Sequence, residues 1–248
     1  TIGLYSLTAG AGAHGSISPP GVSVSHGASQ PYTITPDPGY HVDSLYVDGT
    51  PVPVVLPFSL TSVQAGHAVH VTFAIDTFTI AASAGAHGAI DPSGAVMVNY
   101  GADRGFTISP AAGYQVDSLY VDGAPVTPAT SHTFTNVTAD HTIHATFAID
   151  VFTITASAGA QGSIDPSGSV AVEYGSDQGF TISPATDYHV DSLTVDGEPV
   201  APATSYTFTN VTADHTIHVT FASSEERSVA TEGTEVCRCP GGPEHESS

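Results

Sequence analysis

Residues 77–150 and 151–224 align without a gap and differ at only 19 of 74 positions. Residues 1–76 follow the same pattern more loosely, with a one-residue gap near Pro20. GYHVDSLYVDG at 39–49, GYQVDSLYVDG at 113–123 and DYHVDSLTVDG at 187–197 anchor the alignment. A repeat of this kind is the strongest constraint a sequence can place on its fold. The chain reads as three copies of one unit, at 1–76, 77–150 and 151–224, followed by an acidic tail at 225–248. A unit of 74 residues is small, yet long enough to fold without a disulfide or metal staple. Three modules that fold separately are therefore expected.

The middle copy shows the period. In TFTIAAS, Phe78, Ile80 and Ala82 alternate onto one face, the mark of a half-buried strand. GAIDPSG reads as a turn cluster. AVMVNYG and GFTISP read as two strands separated by Gly101, Ala102 and Asp103. In YQVDSLYVDGAPV, the Asp122-Gly123 pair between apolar runs predicts a tight hairpin, because both central residues must accept positive φ. Val116 and Leu119 cannot share a face at period two, so a bulge is expected near Asp117 and Ser118. HTFTNVT and HTIHATF read as the hairpin that closes the unit. Six or seven short strands and no helical period predict an all-β chain. Its three tandem modules are expected to be small antiparallel β-sandwiches of Ig-like type.

Charge narrows the partners. Three Arg and no Lys face 24 carboxylates, for a formal net charge of −21. Such a field repels nucleic acid and anionic membranes, whose binding depends on Lys and Arg. No apolar run approaches the roughly 20 residues a membrane helix needs, so membrane insertion is not expected. The sequence starts at Thr rather than Met, which fits a processed, secreted or cell-surface protein.

Copies two and three share SAGxxGxIxPSG, YGxDxGFTISP, YxVDSLxVDG and TFTNVTADHTIHxTF. These motifs resemble the divergent internalin-type B-repeat, a module arrayed in secreted and surface proteins of bacteria and archaea. The likeness spans 1–224 and is most specific in copies two and three. Copy one departs from it at SVSHGASQPYTI and LPFSLTSVQAGHAVH. The resemblance implies spacer, stalk or adhesive roles outside the cell, and it brings no catalytic residues. It also implies an alternative fold, since better-known relatives adopt a β-grasp with a short helix.

Several residues invite chemistry. Asp43/Asp48, Asp117/Asp122 and Asp191/Asp196 recur, but an acid–base pair needs facing carboxyls, and these fall at an expected bulge and a hairpin turn. Asp91, Asp103, Asp165 and Asp177 lie in Gly- or Pro-containing loops and are candidate Ca²⁺ ligands, the one cofactor considered. His141 and His144, like His67/His70 and His215/His218, are three apart. On a strand that spacing sends the two rings to opposite faces, so they cannot converge on a metal. Asp140 is expected to cap its own turn. Asn136 and Asn210 stand in Asn-Val-Thr and fit the N-glycosylation pattern.

In the tail, Cys237 and Cys239 are too few for a zinc ribbon. They are expected at a contact between chains, with Val229 and Thr231 of an extended segment adding to a neighbour's sheet edge. The function these residues predict is non-enzymatic: an extracellular structural subunit that polymerises end to end into a surface filament. The alternative is an adhesin or glycan-binding stalk. Tyr46 and Tyr120 become Thr194 in the third copy, which weakens an aromatic recognition platform.

Overall fold

A computed structural model describes residues 3–224, and all of their regular structure is β-strand. The helix of the β-grasp alternative does not form among them. Each repeat contains eight strands in two layers. In the first, β1 (Leu4–Ala11) lies between β3 (Gly21–Ser25) and β8 (His67–Ile75), and β5 (Tyr40–Val47) and β6 (Thr50–Val52) extend the sheet beyond β8. The other layer holds β2 (Gly15–Ser18), β4 (Gln30–Pro36) and β7 (Phe58–Leu60).

The second repeat builds its five-stranded sheet from β9 (Thr77–Ala84), β11 (Gly94–Asn99), β13 (Tyr114–Val121), β14 (Ala124–Val126) and β16 (His141–Ile149). Its three-stranded sheet holds β10 (Gly88–Asp91), β12 (Arg104–Pro110) and β15 (Ser131–Phe134). The third repeat follows suit, with β17 (Val151–Ala158), β19 (Gly168–Glu173), β21 (Tyr188–Val195), β22 (Glu198–Val200) and β24 (His215–Ser223) in one layer. β18 (Gly162–Asp165), β20 (Gln178–Pro184) and β23 (Ser205–Phe208) form the other.

Four local expectations change. TFTNVTADHTIH is not a hairpin, because β15 and β16 belong to different sheets. The chain crosses between layers there and buries Val137 on the way. GAIDPSG is not only a turn, since Gly88–Asp91 pairs with β12. The sheets are not purely antiparallel: β9 runs parallel to β16, with Ile80 opposite His141 and Ala84 opposite Ala145. Asp140 does not cap its own turn, because its Oδ1 accepts the Thr79 N–H at 2.7 Å. The bulge does form, as a register shift between Val42 and Ser44 in the first repeat and between Val190 and Ser192 in the third.

The alternating positions read from sequence point into the space between layers. In the second repeat Ile80, Leu119, Ile143 and Ala145 meet Ile90, Phe106, Ile108 and Phe134. Leu45, Leu119 and Leu193 occupy the same place in the three copies and are at most 1% exposed. Truncating any of them to Ala costs about 2–5 kcal/mol. The contacts gather into two compact units. Residues up to Ala111, with Val116–Ala148, form one and carry most of the first two repeats. Ala112–Gln115, with the described residues from Ile149 on, form the other. Val229, Thr231, Cys237 and Cys239 lie outside the described residues.

Candidate functional site: a histidine–aspartate clamp and the joint between repeats

The Asp-Gly hairpins do more than turn the chain. Asp48, Asp122 and Asp196 adopt φ of 53°, 51° and 51° at the first turn position. That conformation aims each carboxylate at the start of the unit's last strand. Asp122 Oδ1 accepts the Thr142 N–H at 2.8 Å, and its Oδ2 meets His141 Nδ1 at 2.8 Å. Asp48 holds Ala68 and His67 in the same way, and Asp196 holds Thr216 and His215. The imidazole packs inward, 4.9 Å from the Phe134 ring in the second repeat and 4.8 Å from Phe208 in the third.

All three carboxyls are held below their ordinary range. At Asp48 the His67 hydrogen bond leads, followed by the Ala68 N–H. At Asp122 the Thr142 N–H leads, followed by His141. At Asp196 burial is the largest influence and pushes upward, but the Thr216 N–H and His215 together outweigh it. Both oxygens of each Asp are engaged by two consecutive residues at the start of the unit's last strand. The arrangement fastens β14 and its siblings to the sheet instead of presenting an acid or base to a substrate. A recurring 19-residue spacing between Asp and His was the sequence signal for it.

His144 takes the opposite face, as the strand period requires, and meets Ser83 Oγ at 2.8 Å. His218 meets Ser157 Oγ likewise. The four calcium candidates are not brought together. Asp103 Oδ1 accepts the Asn136 N–H and Asp177 Oδ1 the Asn210 N–H, both at 2.8 Å, so these two cap the crossing between layers. Asp91 and Asp165 end β10 and β18 and are exposed. Among the described residues no three His, Cys, Asp or Glu side chains gather as a metal site would require. Asn136 and Asn210 are exposed with φ of 49° and 51°, a conformation Asn tolerates well. The next residues, Val137 and Val211, are each 1% exposed and anchor the turn.

A hollow of about 490 Å³ opens in the third repeat, lined by Tyr188, His189, Asp191, Pro202 and Thr204 among others.

A second recurring arrangement joins successive repeats. In the first unit the Tyr100 ring lies flat on Gly39, whose φ is +78° and whose position has no room for a Cβ. The Asp76 N–H donates to the Gly39 carbonyl and the Tyr100 N–H to the Asp76 carbonyl, each at 2.8 Å. His41 Nδ1 meets Asp76 Oδ1 at 2.7 Å, and Phe78 flanks the tyrosine at 6.4 Å between ring centroids. Gly113, Asp150 and Tyr174 repeat the seated ring and the two backbone hydrogen bonds within the second unit, both at 2.9 Å, with Gln115 in place of His41. One continuous strand run therefore passes from β8 through Asp76 into β9 without a free linker.

These features define a modular all-β repeat protein whose recurring polar contacts are structural. The chain belongs to the divergent InlB B-repeat family, whose model matches residues 5–76, 78–150 and 152–225. Modules of this family are generally extracellular or surface elements of structural or adhesion type, and are typically non-catalytic. Among solved structures, the I-band fragment I67–I69 from titin is 8% identical over 89% of this chain and 96% of that one, with a TM-score of 0.16. The I9–I11 tandem from titin is 7% identical over 89% and 98%, with a TM-score of 0.14. Likeness at that level carries no functional argument. No curated protein matches the chain.

Proposed function

We infer that this protein is a non-enzymatic structural subunit of a secreted, homopolymeric filament at a cell surface. The observation that supports this reading is the joint at Gly39, Asp76 and Tyr100. Two backbone hydrogen bonds and a ring seated on a glycine leave the connecting residues little freedom. A recognition array gains from modules that reorient independently, whereas a load-bearing element gains from joints like this one. Solvated rows such as Ser83–His144 and Thr146–Asp117 fit an exposed life in water. Negative-stain microscopy of the natively purified protein tests the reading. Filaments with an axial repeat set by three modules are expected, and uniformly dispersed single particles would refute it. The third-repeat hollow, with Tyr188, His189 and Asp191 at its rim, favours a second reading, a glycan-binding stalk. Glycan-array binding lost on Tyr188→Ala would support that reading.

A further inference from the structure

The joints within the chain use two positions, a glycine on one repeat and a tyrosine on the next. Gly39 receives Tyr100, and Gly113 lies against Tyr174. Each of these positions also occurs once unmatched. In the first repeat the tyrosine position is held by His26. Its N–H donates to the Gly3 carbonyl at 3.0 Å, as that of Tyr100 donates to Asp76. Its ring lies 5.9 Å from Tyr5, as that of Tyr100 lies 6.4 Å from Phe78. In the third repeat the glycine position is held by Asp187. Its carbonyl accepts the Ser224 N–H at 2.8 Å, as that of Gly39 accepts Asp76's.

His26 and Asp187 are both exposed. Asp187 keeps the left-handed backbone of its siblings, with φ +68°. Glycine adopts that conformation freely and most L-residues do not, though Asp is among the better tolerated. Where the internal joints have a glycine and a tyrosine, the unmatched positions thus carry a carboxylate and an imidazole. Copy-to-copy stacking with the geometry of the internal joints brings these two residues face to face.

We propose that the His26 face of one copy seats on the Asp187 face of another, with imidazole and carboxylate making the contact. This rests on the filament reading and supplies its subunit joint. The Asp187 Cβ fills the space where a tyrosine ring would lie. The contact between copies is therefore a side-chain pair instead of a ring on bare backbone. An imidazole N–H can donate to the Asp187 carboxylate, whereas two facing Asp187 carboxylates repel, which favours this pairing.

Sedimentation velocity of the full chain over a wide concentration range, near physiological ionic strength, tests the joint. Wild type is expected to associate. His26→Asp and Asp187→His, taken singly, should each weaken association by about tenfold, and the double exchange should restore it. His26→Tyr with Asp187→Gly recreates the internal joint from residues its siblings already accommodate. This variant should associate at least as well as wild type, and it keeps the test informative if an exchange variant misfolds. Association indifferent to all of these substitutions overturns this joint and leaves the filament reading standing. A wild type that stays monomeric overturns both, and marks the two residues as closures of the array. Single exchanges that weaken association without rescue by the double exchange also overturn the pairing.

Discussion

Replacing Gly39 by Ala separates two contributions that the joint combines. The first is backbone strain, because φ is +78°. A left-handed conformation costs an L-residue about 1–2 kcal/mol. The second is steric, because the new methyl overlaps the Tyr100 ring and forces it aside, an overpacking of about 1–3 kcal/mol. Gly49 provides the control. Its φ is +76°, and a Cβ there meets nothing within 4 Å. Gly49→Ala should therefore lose only the strain, and Gly39→Ala about 2–5 kcal/mol. At this size 1 kcal/mol moves the melting temperature by about 2–4 °C, so Gly39→Ala should melt roughly 4–20 °C lower. Thermal denaturation followed by circular dichroism reads both variants. In a Tyr100→Ala background the Gly39→Ala penalty should fall to that of Gly49→Ala, as a double-mutant cycle requires. Equal penalties for the two glycines in the native background would refute the reasoning, and the ring would then be a bystander.

Other outcomes follow from the core and the clamp. Tyr32 is buried with its hydroxyl unpaired where the sibling repeats carry Phe106 and Phe180, and burial pushes its pKa up. Tyr32→Phe should therefore stabilise the chain by about 1–2 kcal/mol in chemical denaturation; a loss of stability would show that the hydroxyl is satisfied. Asp48, Asp122 and Asp196 are depressed in the folded state, so the stability they add is complete above the unfolded carboxyl value of about 3.9. It is lost as pH falls through the lower folded values. Melting temperature should drop below about pH 4, and the triple Asp→Asn variant should show a shallower drop; an unchanged acid limb would remove the clamp from the account.

Features set by local chemistry were legible in the sequence. The Asp-Gly turns form because positive φ at both residues is a property of those side chains alone. The bulge follows from the clash between Val116 and Leu119 at period two, and the inward set Ile80, Leu119 and Ile143 from the same period. Features joining distant residues were not legible. Nothing in TFTIAAS announces that Ile80 lies opposite His141, because a parallel pair has no turn to set its register. The Asp140–Thr79 bond spans 61 residues and is invisible for the same reason. TFTNVTADHTIH looked like a hairpin because two β-rich runs flank turn residues. Only burial of Val137 and the Asp103 cap at Asn136 reveal the change of layer. His67, His141 and His215 were placed on the correct face by alternation, yet their carboxylate partners came from a turn read only as a turn.

The parallel pairing of first and last strands in each repeat has a mechanical meaning. β1 and β8 run side by side over Leu7–Ala11 and His67–Val71, with the chain entering at the start of one and leaving at the end of the other. Tension applied through those two points pulls the strands past each other along their length. The bonds between them are then sheared together, whereas an antiparallel hairpin pulled from its open end unzips one bond at a time. β9 with β16 and β17 with β24 repeat the geometry. Stretched along its chain, each module would resist rupture through a patch of hydrogen bonds that must all fail at once.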